Sequence, residues 1–328
     1  AKGVQTKKRT DSVATAYTWT GAGDDGLWAN PANWTADQLE CYGYPDNKTY
    51  ATAKFTQAAT VDLAGGTFGL VAEGLKFNAN LGVVTLCNGT ISVPTSDFGY
   101  GASGTTVIFD SVTISGQKGL KFVAGSTVVF KGTTSQGWSY EPWNPGGQTN
   151  LRFEDGLISS GYFQTWLKDT DEHRIYIDNA VWTIDNAKSQ LAKKFYLADG
   201  ADRQAQFVSK DLLSLDGTWY IPIPAEGHKK ASIVGKTAAN AGGTFQLELK
   251  DWARGKRVPL VTYTGAKQTS VIRGLLDEGK ISLNLLVDGK SEDAASAALR
   301  NGHLEWDDAT NTLYYKQNGK FGFTVIVK

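Results

Sequence analysis

The sequence predicts an all-β chain wound as a right-handed parallel β-helix of ~23-residue coils, with a Trp-rich N-terminal cap and a β-rich C-terminal cap. Three observations carry that expectation. Short β-rich runs recur along the chain, each with apolar first and third residues. A second apolar position follows at a fixed offset. Gly and Asn fall between the two, where a coil must turn.

The runs are Val61-Asp62-Leu63, Val84-Thr85-Leu86, Val107-Ile108-Phe109, Val128-Val129-Phe130, Leu151-Arg152-Phe153 and Ile175-Tyr176-Ile177. They start 23, 23, 21, 23 and 24 residues apart. Apolar residues at first and third place are the period-2 pattern of a strand with one buried face. Seven residues after the first come Phe68, Ile91, Ile114, Ile158 and Trp182, with Ser135 interrupting the row. The pairs Leu75/Phe77, Phe98/Tyr100 and Leu120/Phe122 mark a third side in some coils. Turns are expected at Gly65-Gly66, Asn88-Gly89, Gly116, Gly132, Gly156 and Asn179. One such coil cannot bury its apolar face alone, so coils stack, with strands about 4.8 Å apart. A β-sandwich is the alternative. It also gives short strands and regular turns, but nothing in it requires the recurrence.

The repeats divide the chain. Residues 1–16, with Lys7-Lys8-Arg9, read as a disordered basic tail. Residues 17–58 form the N-terminal cap, 59–200 the regular coils, and 201–328 irregular coils and a C-terminal cap with one short helix over 291–300. Cys41 and Cys87 either form a disulfide or remain two buried thiols.

Composition excludes several functions. The chain carries 33 Lys+Arg against 33 Asp+Glu, which removes the simplest case for a nucleic-acid partner. No run of about 18 apolar residues is present, so no membrane-spanning helix is expected. Three scattered histidines argue against a histidine-rich metal centre, and no cofactor is expected. The absence of methionine fits an oxidising compartment, where its sulfoxide would form.

The cap segment carries Trp19, Gly21, Gly23, Gly26, Trp28, Asn30, Pro31, Asn33 and Trp34, a W-x-G-x-G-x-x-G-x-W-x-N-P-x-N-W pattern. It describes a turn-rich plug with a large apolar payload. This pattern resembles the start of secreted bacterial β-helical proteins of the autotransporter passenger-like and autotransporter-associated repeat group. The runs at 260–265 and 304–315 resemble terminal strands common in that group. The resemblance implies export to the medium or cell surface, a β-solenoid, and adhesion or an unassigned surface role, with a glycan or a host or cell-surface component as partner. It carries over no catalytic residue.

Gly99, Gly101 and Gly104 match G-x-G-x-x-G, but a strand is expected after them where a dinucleotide fingerprint needs a helix. Asp24-Asp25-Gly26 reads as a turn rather than a calcium loop. Asp169, Asp171 and Glu172 beside His173 read as a solvated corner. The candidate ligand site is aromatic: Trp138, Tyr140 and Trp143 in one loop, with Tyr162 and Trp166 one coil later. Such rings, near Glu and Asn, suit the C–H faces and hydroxyls of sugars; a loop folded back on its own tryptophans is the other reading. Asp110, Glu154 and Asp178 share one coil position, with Lys131 between them, and form the alternative catalytic column. The expected function is therefore a non-catalytic surface β-solenoid acting in adhesion, glycan binding or surface structure. The alternative is a polysaccharide lyase or hydrolase on the same scaffold.

Overall fold

The computed structural model describes residues 7–8, 15–37, 41–46, 51–70, 74–93, 102–116, 125–136, 149–163, 173–187, 194–224, 226–249, 257–287, 290–291 and 302–317. Its architecture is a β-solenoid. Thr105–Gly116 lies parallel to Gly82–Val93, in register from Thr105↔Gly82 to Gly116↔Val93 across the corner residues Ser111 and Asn88. Thr127–Lys131, Thr149–Glu154, His173–Asp178 and Lys194–Ala198 then stack on Thr105–Gly116 in turn, each parallel to the last. A second sheet contains Leu157–Phe163, Val181–Ala187, Gln206–Ser209, Ile233–Gly235 and Arg257–Tyr263, also parallel in sequence order. Coil-to-coil parallel pairing excludes the sandwich, whose sheets are antiparallel.

Burial alternates as the repeat requires. On the first sheet Leu151, Phe153, Ile175, Ile177, Phe195 and Leu197 are buried, and the residues between them are not. Like side chains stack along the core. Phe109, Phe130 and Phe153 follow one another at 5.5 Å between ring centroids, Trp182 stacks on Phe153 at 4.0 Å, and Trp219 on Phe195 at 3.9 Å. Each such pair contributes about 0.5–1.5 kcal/mol beyond its buried area.

One left-handed residue per coil makes the corner between the sheets: Asn88 (φ 57), Ser111 (57), Gly132 (66), Asp155 (52) and Asn179 (49). Asn, Asp, Ser and Gly are the types that take this conformation or turn most readily. The glycine expected to turn at 156 has another cause. Its Cβ would meet the Gly132 carbonyl oxygen at 1.8 Å, so Gly156 permits close stacking while Asp155 makes the turn.

Three alignments differ from expectation. Ala59 and Val61, rather than Val61 and Leu63, lie opposite Val84 and Leu86. The first corner is longer, with Ala64 (φ 47) and Gly65 (φ 73) both left-handed. The two-residue shift keeps the same face inward, and Phe68 still pairs with Ile91 and Ile91 with Ile114. Ser135 faces outward; buried Thr134 takes the core place, donating its hydroxyl to the Lys131 carbonyl at 2.6 Å. Pairing of Ser135 with both Thr113 and Ser159 makes Ile158 level with Thr134 and Val112, one inward position before Ile114.

Stacking continues beyond residue 200. Thr218–Ile223, Thr244–Leu249 and Ser282–Val287 extend the first sheet. Regular spacing fades because the connections lengthen: Lys194, Thr218, Thr244 and Ser282 occupy one register row. The longest connection holds a helix, Thr269–Asp277, which buries Ile272 and Leu275. Its β-branched residues and Gly274 are poor helix formers, so packing overrides propensity. Of the helix expected over 291–300, Ser291 instead lies in a short strand, Lys290–Ser291, antiparallel to Leu286 and Val287. Residues 292–300 lie outside the described residues.

Antiparallel strands lie at both ends of the described stack. His303–Asp307 and Thr312–Lys316 form an antiparallel hairpin, and Thr312–Lys316 also pairs antiparallel with Arg257–Tyr263. At the other end Thr15–Trp19, Ala51–Phe55 and Leu75–Phe77 stack in parallel as a third sheet. The cap is thus built on the coil pattern, and its first strand begins inside the segment expected as tail. Lys7–Lys8 also pairs, parallel to Cys41–Tyr42.

The tryptophan pattern is structural. Trp19, Trp28 and Trp34 are buried, and Trp34 packs edge-on against both others at 5.0 and 4.9 Å. The Trp28 indole donates to the Pro45 carbonyl and the Trp34 indole to the Trp28 carbonyl, both at 2.8 Å. Asp25 accepts from the Leu27 amide at 3.0 Å and from the side chains of Asn33 and Asn30 at 2.7 Å. Both its oxygens are used within the turn, which supports the turn reading over calcium.

Candidate functional site

The coil register builds three outward columns on the first sheet. Asn150, Arg174, Lys194 and Thr218 form one edge. Arg152, Tyr176, Tyr196, Tyr220 and Gln246 run along the middle. Asp110, Lys131, Glu154, Asp178 and Ala198 form the other edge. The expected carboxylate column is therefore real as a geometric row, and Cys87 extends it beside Asp110.

The middle column is a stacked ladder. Tyr176 and Tyr196 lie 4.9 Å apart between ring centroids at 14°, and Tyr196 and Tyr220 4.4 Å apart at 7°. The Arg152 guanidinium caps the lower end, 4.8 Å from the Tyr176 centroid. All four side chains are half-buried. Because the rings cover each other's faces, the ladder presents edges and hydroxyls to solvent. Burial, then the neighbouring Tyr220, pushes the Tyr196 phenol above its ordinary pKa.

Arg152 also ties up the carboxylates. Its Nε lies 2.5 Å from Glu154 Oε1 and its Nη2 2.7 Å from Asp178 Oδ2, one coil further on. Burial raises the Asp178 pKa, Arg152 opposes it, and Glu154 and Asp155 add to it. Burial works against the Arg152 charge, but the hydrogen bond and charge of Glu154 and the charge of Asp178 outweigh it. Lys131 pairs with Asp155 at 3.4 Å, and Asp110 accepts from Ser111 at 3.1 Å. Arg152 thus bridges the two carboxylates, where glycoside hydrolysis uses two carboxyl groups held apart across the substrate.

A second cluster escaped the sequence reading. His228 Nε2 lies 2.8 Å from Asp199 Oδ2, and Ser232 Oγ lies 3.1 Å from His228 Nδ1. With the carboxylate on Nε2–H, Nδ1 accepts from the serine, the hydrogen-bond order of an activated hydroxyl. Ser232 is only 1% exposed and the His228 side chain 3%. No substrate reaches that oxygen, and the relay instead pins the 224–232 connection to the corner at Asp199.

Trp138, Tyr140, Trp143 and Trp166 lie outside the described residues. Tyr162 belongs to the strand Leu157–Phe163, opposite Asn186. In the sequence Trp138, Tyr140 and Trp143 precede Thr149–Glu154 and Trp166 precedes His173–Asp178, the strands that carry Arg152 and Tyr176. A strand, Thr105–Gly116, follows Gly104, so the glycine motif lacks the helix a dinucleotide needs. Cys87 is a free thiol, its Sγ 3.6 Å from the Val61 carbonyl, so the Cys41–Cys87 disulfide is not formed. The thiol sits on the outward column between Asp62 and Asp110 rather than facing a partner sulfur. Among the described residues no group of three or more His, Cys, Asp and Glu is placed to hold a metal, and no helix is long and apolar enough to cross a membrane.

No family model, curated protein or solved structure matches the chain.

Proposed function

We propose that this chain is a non-catalytic, exported β-solenoid of a bacterial surface that works by lateral recognition, in adhesion or surface structure, through its Arg152–Tyr220 flank. One observation carries the reading: Arg152 pairs with both Glu154 and Asp178 while capping a tyrosine ladder. The carboxylates that a hydrolase would use are spent on holding a recognition surface. Antiparallel strands at the two ends favour lateral over end-on contact, and the tryptophan pattern of the cap supports export by resemblance. The enzyme reading predicts turnover that Glu154→Ala and Asp178→Ala abolish. Polysaccharide digestion assays on the wild type and both variants decide between them; turnover lost in the variants overturns the proposal.

Glycan binding is the second reading, favoured by the aromatic residues Trp138, Tyr140, Trp143 and Trp166, which precede Thr149–Glu154 and His173–Asp178 in the sequence. Pull-down on insoluble polysaccharides, with Trp138→Ala and Trp166→Ala, tests it. Binding unchanged in both variants removes the aromatic-loop site.

A further inference from the structure

We propose that the C-terminal half of the ladder flank binds an extended, uncharged polysaccharide, laid along the rod with about one sugar ring per coil. The inference rests on the reading of this flank as a recognition surface and names its partner; the aromatic loops are no part of it. The middle column continues past the tyrosines, from Tyr196 and Tyr220 to Gln246 and Asn284. Thr218, Thr244 and Ser282 run beside it on one edge. On the other edge the charged row stops at Asp178: Ala198 follows it, and Glu248 stands two coils further on. Neutral hydroxyls and amides give up water at far smaller cost than ions, so an uncharged ligand can dry this strip. A polyanion would face Glu248, and Lys194 on the near edge is already engaged. Tyrosine edges, positive in the ring quadrupole, and polar side chains suit a ligand rich in oxygen. The Tyr196 hydroxyl meets that of Tyr220, and the Thr244 hydroxyl that of Ser282 at 2.9 Å; each pair keeps a proton and lone pairs for a third group. These groups recur at the strand spacing of about 4.8 Å, close to the rise per ring of an extended β-1,4-linked glycan.

Affinity electrophoresis of the full chain tests this, in gels that hold hydroxyethyl cellulose, glucomannan or carboxymethyl cellulose. Retardation is expected in the two neutral polymers and less in the anionic one. Tyr220→Phe removes a hydroxyl and keeps the ring stack, while Gln246→Ala and Asn284→Ala each remove an amide. Each variant is expected to weaken binding by about threefold to tenfold. Circular dichroism melts establish that each variant is folded. No retardation in either neutral polymer, stronger retardation in the anionic one, or binding indifferent to all three variants overturns the proposal. Binding lost only in Trp138→Ala and Trp166→Ala belongs to the loops and overturns it as well. The digestion assays on Glu154→Ala and Asp178→Ala report separately on the non-catalytic reading, so the two failures are distinguishable.

Discussion

Arg152 Nη2 reaches Asp178 Oδ2 at 2.7 Å, across one step of the coil stack. The same guanidinium holds Glu154 within its own strand and lies over Tyr176. One side chain therefore links two coils by charge and by ring contact. Arg152→Met is expected to lower stability by about 1–3 kcal/mol, since it leaves two carboxylates facing without a counter-charge. Urea unfolding measures it.

Asp178 gives a pH signature of known sign. Its pKa is raised in the fold, chiefly by burial. The folded state thus holds the proton more tightly than the unfolded chain. Its ionisation costs stability above the folded pKa, and that cost fades as pH falls through the folded value toward the unfolded one. Thermal melts of wild type and Asp178→Asn, from neutral pH to pH about 4, should show wild type gaining relative to the variant on acidification. A relative loss contradicts the assignment.

The core carries one polar bond with a clear cost. Trp182 Nε1 donates to Ser160 Oγ at 2.9 Å, and both residues are buried. Ser160→Ala strands the indole N–H and should cost about 1–3 kcal/mol. Chemical denaturation checks it.

Gly156→Ala and Gly82→Ala separate two roles of glycine. At Gly156 a Cβ collides with the Gly132 backbone, whereas at Gly82 (φ +79) it meets nothing within 4 Å. Gly82→Ala costs only backbone strain, about 1–2 kcal/mol. Gly156→Ala also forces two coils apart and should be the worse variant in the same denaturation assay.

Cys87 should react slowly. Burial, then Asp62 and Asp110, raise its pKa and thin the thiolate. In Cys41→Ser, thiol titration at neutral pH is expected to find one sulfhydryl reacting more slowly than free cysteine.

The inward pattern was legible because the solenoid imposes it on every coil: Val107, Phe109, Leu151 and Phe153 repeat in place, and so does the Asp110–Asp178 column. Register at Val61 was not, because a corner two residues longer shifts a strand without changing its face. The ladder is written in the sequence as Ile175-Tyr176-Ile177, Phe195-Tyr196-Leu197 and Trp219-Tyr220-Ile221. It is masked by uneven coil lengths beyond 175. The His228 relay had no local signal, since Asp199 and Ser232 meet only through the stacking of two connections.

The central claim is the stacked register that sets Tyr196 against Tyr220. A double-mutant cycle with Tyr196→Ala, Tyr220→Ala and the double variant, read by chemical denaturation, tests it most directly. The account predicts a coupling of about 0.5–1.5 kcal/mol between residues 24 positions apart in the chain. Additive effects of the two substitutions would contradict it.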